Sequence, residues 1–95
     1  MKVTLHTILE IKDVIGQRLT EIELPSGSTV DDFLAYMKER WGDELSISLF
    51  HPNSVEVLPY VRVMVNGQTI EFLEGRDTLL KDGDEILILP PVSGG

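Results

Sequence analysis

The sequence predicts an α+β fold, a mixed sheet of roughly four to five strands with one main helix on one face. Segments that alternate apolar and polar residues, as half-buried strands do, lie on both sides of one segment with helical periodicity. Asn66-Gly67 is a dipeptide typical of the tight turn of a β-hairpin. Glu85–Leu89 is a mostly apolar run, interpreted as buried on both faces, which favours a central strand.

The N-terminal part of the sequence predicts a hairpin. Residues 2–9 and 18–24 both alternate in polarity, so each is expected to form a strand with one buried face. Gly16 lies between them at the expected turn, and residues 25–27, Pro-Ser-Gly, end the second strand.

The next segment carries the clearest helical pattern. Thr29 can cap the helix, and Asp31 and Asp32 favour the positive end of the helix dipole. Gly42 is expected to end the helix. The apolar residues that recur at helical spacing should pack against the sheet: Val30, Phe33, Leu34, Met37 and Trp41.

The second half of the chain gives a weaker pattern. Residues 43–59 are interpreted as a variable loop with at most a short strand. Residues 60–65 and 68–72 are expected to form the second hairpin, and residues 79–81 a brief helical turn. Residues 82–84, Asp-Gly-Asp, should make a tight turn into the last strand.

The order of these elements is a hairpin, a helix, an irregular segment, a second hairpin and a final central strand. The first and last strands then lie side by side and parallel, with the helix across one face. This is the β-grasp, or ubiquitin-like, arrangement. The other face of the sheet is left open to a partner. We expect residues 1–89 to form this domain and residues 90–95 to form an extended tail.

The charge balance excludes some classes of partner. Lys and Arg number 8 against 16 Asp and Glu, a formal net charge of −8. Nucleic acid and anionic membranes are bound through clustered cations, so we expect neither as a partner. The sequence has no cysteine and no apolar segment of bilayer length. We therefore expect a cytoplasmic domain whose partners are electropositive proteins.

Few side chains offer catalytic or metal-binding chemistry. His6 and His51 stand alone, without the spacing of a metal site. The turn at residues 82–84 lacks the other ligands of a calcium loop. Phe33 and Trp41 belong to the helix stripe and are interpreted as core residues. The sequence predicts no catalytic side chain and no bound metal.

The C-terminal residues are the exception. Pro90-Pro91 restricts the backbone and removes hydrogen-bond donors, so the tail should leave the sheet extended and stiff. Gly94-Gly95 has no side chain and can pass through a channel too narrow for a Cβ atom. The alternative is a frayed terminus that ends in glycine by chance. We expect the free α-carboxylate of Gly95 to be presented inside another protein.

Several segments of the sequence resemble one family. These are residues 24–30 ahead of the helix, Val65-Asn66-Gly67, residues 80–86 and residues 89–95. Together they are similar to the small subunits of molybdopterin synthase, within the family of ubiquitin-like sulfur carriers. The resemblance covers nearly the whole chain, and its most specific part is the tail with the preceding Asp-Gly-Asp turn.

The resemblance implies a reaction at the C-terminus. An adenylyltransferase of the ubiquitin-activating type would use ATP to convert the Gly95 carboxylate to an acyl-adenylate. Sulfur from a persulfide would then displace AMP and leave a thiocarboxylate, with Gly94 giving clearance. The other tail residues would set reach and direction: Pro90, Pro91, Val92 and Ser93. No cofactor is expected to bind stably to the carrier, because the partner uses the ATP.

The resemblance also implies partners. A cysteine desulfurase or rhodanese would supply sulfur, and the large subunit of molybdopterin synthase would hold the acid–base groups for building the dithiolene in a heterotetramer. Other interpretations stay open. The carrier could serve thiamine thiazole, another thio-compound or tRNA thiolation, the chain could be a modifier joined to lysines through Gly95, or it could be a binding module with an inert tail.

Overall fold

The fold was analysed in a computed structural model, which describes residues 1–50, 57–58 and 61–89. The elements in chain order are β1 (Lys2–Thr7), α1 (Leu9–Ile15), β2 (Leu19–Glu23), α2 (Val30–Leu49), β3 (Arg62–Val65), β4 (Gln68–Thr69) and β5 (Glu85–Leu89). Two turns of 3₁₀ helix, Ile70–Phe72 and Gly75–Asp77, lie between β4 and β5. No helix of the described segments is both long enough and apolar enough to cross a membrane.

The sheet has the order β2-β1-β5-β3-β4. β1 and β5 are parallel, and every other pair of neighbours is antiparallel. The register places Leu5 beside Ile86 and Thr7 beside Ile88, so the first and last strands run together through the middle of the sheet. This confirms the β-grasp arrangement and the central position of the last strand.

One face of the sheet packs against α2 and forms the core. Alternate residues of β1, β5 and β3 point into it, and the helix contributes the apolar residues that recur at helical spacing. Fully or almost fully buried side chains include Val3, Leu5, Ile22, Val30, Phe33, Leu34, Met37, Val63, Ile86 and Ile88. Trp41 is only partly buried, with its ring 6.5 Å from that of Tyr36 and the Arg40 guanidinium 4.6 Å above it. The prediction of a core position for Trp41 is therefore correct only in part.

The start of α2 is fixed by a reciprocal cap. The backbone N–H of Asp32 donates to Thr29 Oγ1 over 3.2 Å, while the backbone N–H of Thr29 donates to Asp32 Oδ2 over 2.9 Å. Each side chain thus satisfies a backbone donor that the first helical turn leaves unpaired. The predicted capping role of Thr29 is confirmed.

Gly42 interrupts the helix but does not end it. Its backbone, with φ 64° and ψ −144°, is not helical, yet helical structure resumes and continues to Leu49. The prediction of a loop from residue 43 is wrong for this part, because the chain turns sharply at the glycine and then starts a new helical segment. Phe50 forms an isolated bridge with Val57. The remainder of that predicted loop lies outside the described residues.

The connection between β1 and β2 also differs from the prediction. It contains α1, whereas residues 8 and 9 were expected in the first strand and Gly16 in a hairpin turn. Gly16 instead ends this helix with φ 93° and donates its N–H to the carbonyl oxygen of Lys12 over 2.7 Å. Ile11 is buried, and Val14 and Ile15 are partly buried, so the helix packs its own apolar stripe on the core.

The segment after β3 is less regular than expected. β4 ends at Thr69, because Ile70 enters a 3₁₀ turn and becomes buried. Leu79 forms a bridge with Thr29 in place of the predicted helical turn. β5 has buried Ile86 and Ile88 on its inner face, while Leu87 and Leu89 on its outer face are only partly buried. The expectation of full burial on both faces is wrong, because no element of the described segments packs over the outer face.

Replacing Gly42 with alanine tests the break in α2. In a regular helix this change would raise the free energy of unfolding by about 1 kcal/mol. At the observed dihedral angles it forces a side chain into a region that nearly excludes all but glycine, so we expect a decrease of about 1–3 kcal/mol. Urea unfolding measures the change, with Glu39→Ala on the exposed side of the helix as the control. A stabilised Gly42→Ala variant would show that the helix is continuous in solution.

Candidate functional site

The face of the sheet opposite α2 is uncovered in the described part of the chain. Since residues alternate along each strand, the same register that buries the core sets the composition of this open face. It carries carboxylates towards one end and apolar side chains towards the other. The outward residues are Lys2, Thr4, His6, Leu19, Glu21, Glu23, Arg62, Met64, Thr69, Glu85, Leu87 and Leu89.

An apolar row crosses the open face. Leu19 pairs with His6, His6 with Leu87, and Leu87 with Met64, so the four side chains lie next to one another on four adjacent strands. Leu19 is 55% exposed. A row of exposed and half-exposed apolar side chains of this kind is typical of a surface that binds another protein.

The apolar row lies close to the end of the sheet where the tail begins. Leu89 ends β5 there, beside the end of β1 and the start of β2, because β1 and β5 are parallel. A shallow depression opens at this end, here called the end pocket, lined by His6, Thr7, Ile8, Arg18, Leu19 and Leu87. A protein that covered the row would also lie beside the origin of the tail.

A second depression lies on the other side of His6 and Leu87. This turn pocket has a volume of about 300 Å³ and is lined by His6, Met64, Asn66, Gly67, Glu85 and Leu87. Two of its lining residues form a polar pair: His6 Nε2 is 2.9 Å from Glu85 Oε1. The side chain of Glu85 is 62% exposed, so the carboxylate is accessible from the pocket.

The wall of the turn pocket is held by the Asn66-Gly67 turn. Asn66 adopts φ 50° and donates its side-chain amide to Asp84 Oδ1 over 2.9 Å. Its side-chain oxygen accepts the backbone N–H of Glu85 over 2.9 Å, and its own N–H donates to the Glu85 carbonyl over 2.8 Å. The hairpin turn therefore fixes the first residue of β5 as well as the ends of β3 and β4.

The Asp-Gly-Asp turn is confirmed, and its carboxylates have structural partners. Asp82 Oδ1 accepts the backbone N–H of Lys2 over 2.8 Å, and Asp84 Oδ2 accepts that of Lys81 over 2.8 Å. These bonds tie the turn to the start of β1. In the described segments, no group of three or more His, Asp or Glu side chains is arranged to hold a metal ion.

The site residues predicted from the sequence lie outside the residues that the structure describes. Gly95 and the other tail residues, Pro90 to Gly94, lie outside the described residues, and so does His51. The structure adds a second part to the candidate site: Leu19, Leu87, Met64, His6 and Glu85 form one continuous surface. Sequence reasoning anticipated an open face without naming these residues. These residues could have been named from the sequence as the outward-facing positions of each strand with alternating polarity.

Comparison with known proteins identifies the family. A family model matches residues 8–95. The chain belongs to the ThiS family. Small archaeal modifier protein 3 of Haloferax volcanii is 33% identical over 95 residues, covering 100% of both chains. ThiS membership makes the chain a ubiquitin-like protein of the sulfur carrier and modifier class, and this part of the sequence-based resemblance is confirmed.

Solved structures agree with the fold. SAMP1 from Haloferax volcanii superposes with a TM-score of 0.85 over 100% of both chains, at 23% identity. A structure named "Putative molybdopterin converting factor, subunit 1" from Pyrococcus furiosus is 28% identical, with a TM-score of 0.76 over 97% of this chain and 99% of that one. The narrower resemblance, to small subunits of molybdopterin synthase, stays a prediction.

Variants of Asn66 test how the turn holds the pocket wall. Asn66→Ala removes the two side-chain bonds, to Asp84 Oδ1 and from the backbone N–H of Glu85, so we expect the free energy of unfolding to fall by about 1–3 kcal/mol. Asn66→Gly removes the same bonds and relieves the positive φ, so its loss should be smaller. Urea unfolding measures both, with exposed Gln68→Ala as the control. Asn66→Ala and Gln68→Ala variants of equal stability would contradict this role.

Proposed function

We propose that this chain is a sulfur carrier that serves as the small subunit of molybdopterin synthase. The observation that carries the proposal is the sequence that follows β5 in a ThiS family chain: Pro90-Pro91, then Val92-Ser93, then Gly94-Gly95. The name of the Pyrococcus furiosus relative supports a pterin as the final acceptor.

The chemistry of this proposal takes place at the end of the main chain. A carboxylate is a poor electrophile, so Gly95 is first adenylated by a ubiquitin-activating-type partner that consumes ATP and releases pyrophosphate. A persulfide on a sulfur donor, such as a cysteine desulfurase or rhodanese, then displaces AMP. Reductive release of the donor by a thiol leaves the thiocarboxylate. Since the sequence has no cysteine, no thiol of the carrier competes for the persulfide.

The domain contributes binding and direction to this scheme. The apolar row would form the centre of the interface with each partner, with Glu85 beside it, and Glu21 would lie towards the rim. The net charge of −8 would speed the approach to electropositive partners. Because Leu89 ends β5 beside the row, the tail would lie close to the active site of a partner that covers the row.

The acceptor in molybdopterin synthesis would be a cyclic pterin precursor held by the large subunit. Two rounds of transfer from thiocarboxylate tails would supply the two sulfur atoms of a dithiolene. In this proposal the large subunit would provide the acid–base groups, and the carrier would supply the reacting C-terminus. A heterotetramer of two carriers and two large subunits would fit this use.

A second function has its own support. Small archaeal modifier protein 3 is named as a modifier and matches this chain along its whole length. In this alternative, the adenylated Gly95 is transferred to a lysine amine of a target protein and forms an isopeptide bond. Activation is the same in both cases, so the two functions differ in the acceptor and can coexist in one chain.

Deleting Gly94-Gly95 tests the role of the tail. We expect the shortened chain to unfold at the same temperature as the full chain, because the residues removed follow the last strand, and to lose adenylation completely. Intact mass spectrometry after incubation with the cognate adenylyltransferase, ATP and a sulfide source measures the product. The full chain should gain the mass of one oxygen-to-sulfur exchange. Equal modification of both chains would overturn the carrier function.

The acceptor is tested by deleting the gene in the source organism. If the chain is the carrier for molybdopterin, cells without its gene should lose the activity of their molybdenum or tungsten enzymes. Complementation with the full chain, but not with the chain lacking Gly94-Gly95, should restore it. Normal enzyme activity in the deletion strain, together with conjugates of higher mass detected in wild-type cells by an antibody to this chain, would favour the modifier function.

A further inference from the structure

The turn pocket has features that the carrier reaction does not explain. Its lining combines the apolar side chains of Met64 and Leu87 with a single carboxylate, that of Glu85. A volume of about 300 Å³ is large enough for one long side chain. The pocket therefore has the shape and composition to receive an anchor residue of a partner.

The carboxylate of Glu85 is held in place and is accessible. One oxygen, Oε1, lies 2.9 Å from His6 Nε2, which limits the rotation of the side chain. The backbone of Glu85 is fixed on both sides by Asn66. Within the segments that the structure describes, no lysine or arginine pairs with Glu85, whereas Glu71 pairs with Arg62 and Asp31 with Arg76. Glu85 is thus a positioned carboxylate without a lysine or arginine partner in the described segments.

The charge around the pocket selects the kind of occupant. Glu21 lies on the same row as Glu85, with Thr4 between them, at about 10 Å across two strand spacings. If an apolar side chain filled the pocket, it would remove the Glu85 carboxylate from water with the His6 imidazole as its hydrogen-bond partner and no lysine or arginine of the described segments beside it, which is unfavourable. A lysine or arginine can place its aliphatic stem against Met64 and Leu87 while its charged group reaches the carboxylate.

We propose that the turn pocket is the anchor site for a lysine or arginine side chain of the activating adenylyltransferase. This inference rests on the proposed function, because it names a contact made by the partner that activates Gly95. The cation pairs with Glu85, its stem lies against Met64 and Leu87, and apolar residues of the partner fill the end pocket on the other side of His6. The two pockets flank His6 and Leu87, so the anchor fixes the orientation of the carrier on its partner.

Binding of the full-length chain to the purified cognate adenylyltransferase tests the proposal. Glu85→Gln keeps the size and hydrogen-bonding capacity of the side chain and removes its charge, so we expect affinity to fall by about tenfold or more. Glu39→Gln makes the same change of charge on the exposed surface of α2, and we expect less than a threefold effect. The measurement is biolayer interferometry at low and moderate salt. Wild-type affinity should depend more steeply on salt than that of Glu85→Gln.

A second variant tests whether a cation supplied by the carrier itself weakens binding. Met64→Lys places a cation on the wall of the pocket beside Glu85, where it competes with the cation of the partner. We expect it to weaken binding as strongly as Glu85→Gln. Circular dichroism and urea unfolding show whether both variants remain folded. A folded Met64→Lys variant with wild-type affinity would overturn the proposal.

The outcomes distinguish this proposal from the proposed function. Thiocarboxylate formation on the wild-type chain is measured in parallel by intact mass. If the wild-type chain is activated but Glu85→Gln binds as tightly as Glu39→Gln, the pocket proposal is wrong and the carrier function stands. If affinity of Glu85→Gln rises, the occupant is apolar, which also overturns the pocket proposal. If the wild-type chain is neither bound nor activated, both are wrong.

Discussion

The parallel pairing of β1 with β5 is the constraint on which the rest of the structure depends. It brings the first and last strands together at the centre of the sheet, with Leu5 beside Ile86 and Thr7 beside Ile88 on the buried face. The same register sets His6 beside Leu87 on the open face. It also directs the end of β5 towards the start of β2. Core, docking surface and origin of the tail therefore all follow from one strand pair.

The two faces of the sheet have separate tasks. The inner face, with α2 and α1, supplies the stability of a small domain through fully buried side chains such as Phe33 and Leu34. The outer face keeps apolar side chains partly exposed, which does little for folding in the isolated chain. Such exposure is useful when a partner covers it, because the area is then removed from water at the moment of binding. The hydrogen bonds of Asn66 join the two tasks, since they hold both the hairpin and the wall of the turn pocket.

The sequence was sufficient for much of the fold because the strand alternation, the Thr29 cap and the Asn-Gly turn are local signals. It failed where two local signals competed. A glycine such as Gly16 is typical both of a hairpin turn and of a helix end. The helix end is the correct choice here because the preceding helix buries Ile11 in the core. Gly42 breaks a helix, but the sequence does not reveal that a second helical segment follows.

The two parts of the candidate site also differ in how far the sequence predicts them. The tail could be singled out because Pro-Pro followed by Gly-Gly suggests a chemistry that does not depend on the fold, and its role stays a prediction. The docking surface could not be listed residue by residue, since Leu19, His6, Leu87 and Met64 come from four strands and meet only through the register. The pairing of His6 with Glu85 joins residues 79 positions apart, a contact that no spacing rule predicts.

That same distance along the chain has a consequence for how the protein folds. The bonds of Lys2 with Asp82 and of His6 with Glu85 span 80 and 79 residues, so the central strand pair closes nearly the whole chain into a loop. Contacts of such large separation form late and slowly, because the entropy of loop closure must be overcome before they add stability. We expect the sheet to assemble in one cooperative step around β5. A chain that lacks β5 would then have no stable sheet, and the strand that leads into the tail would also complete the fold.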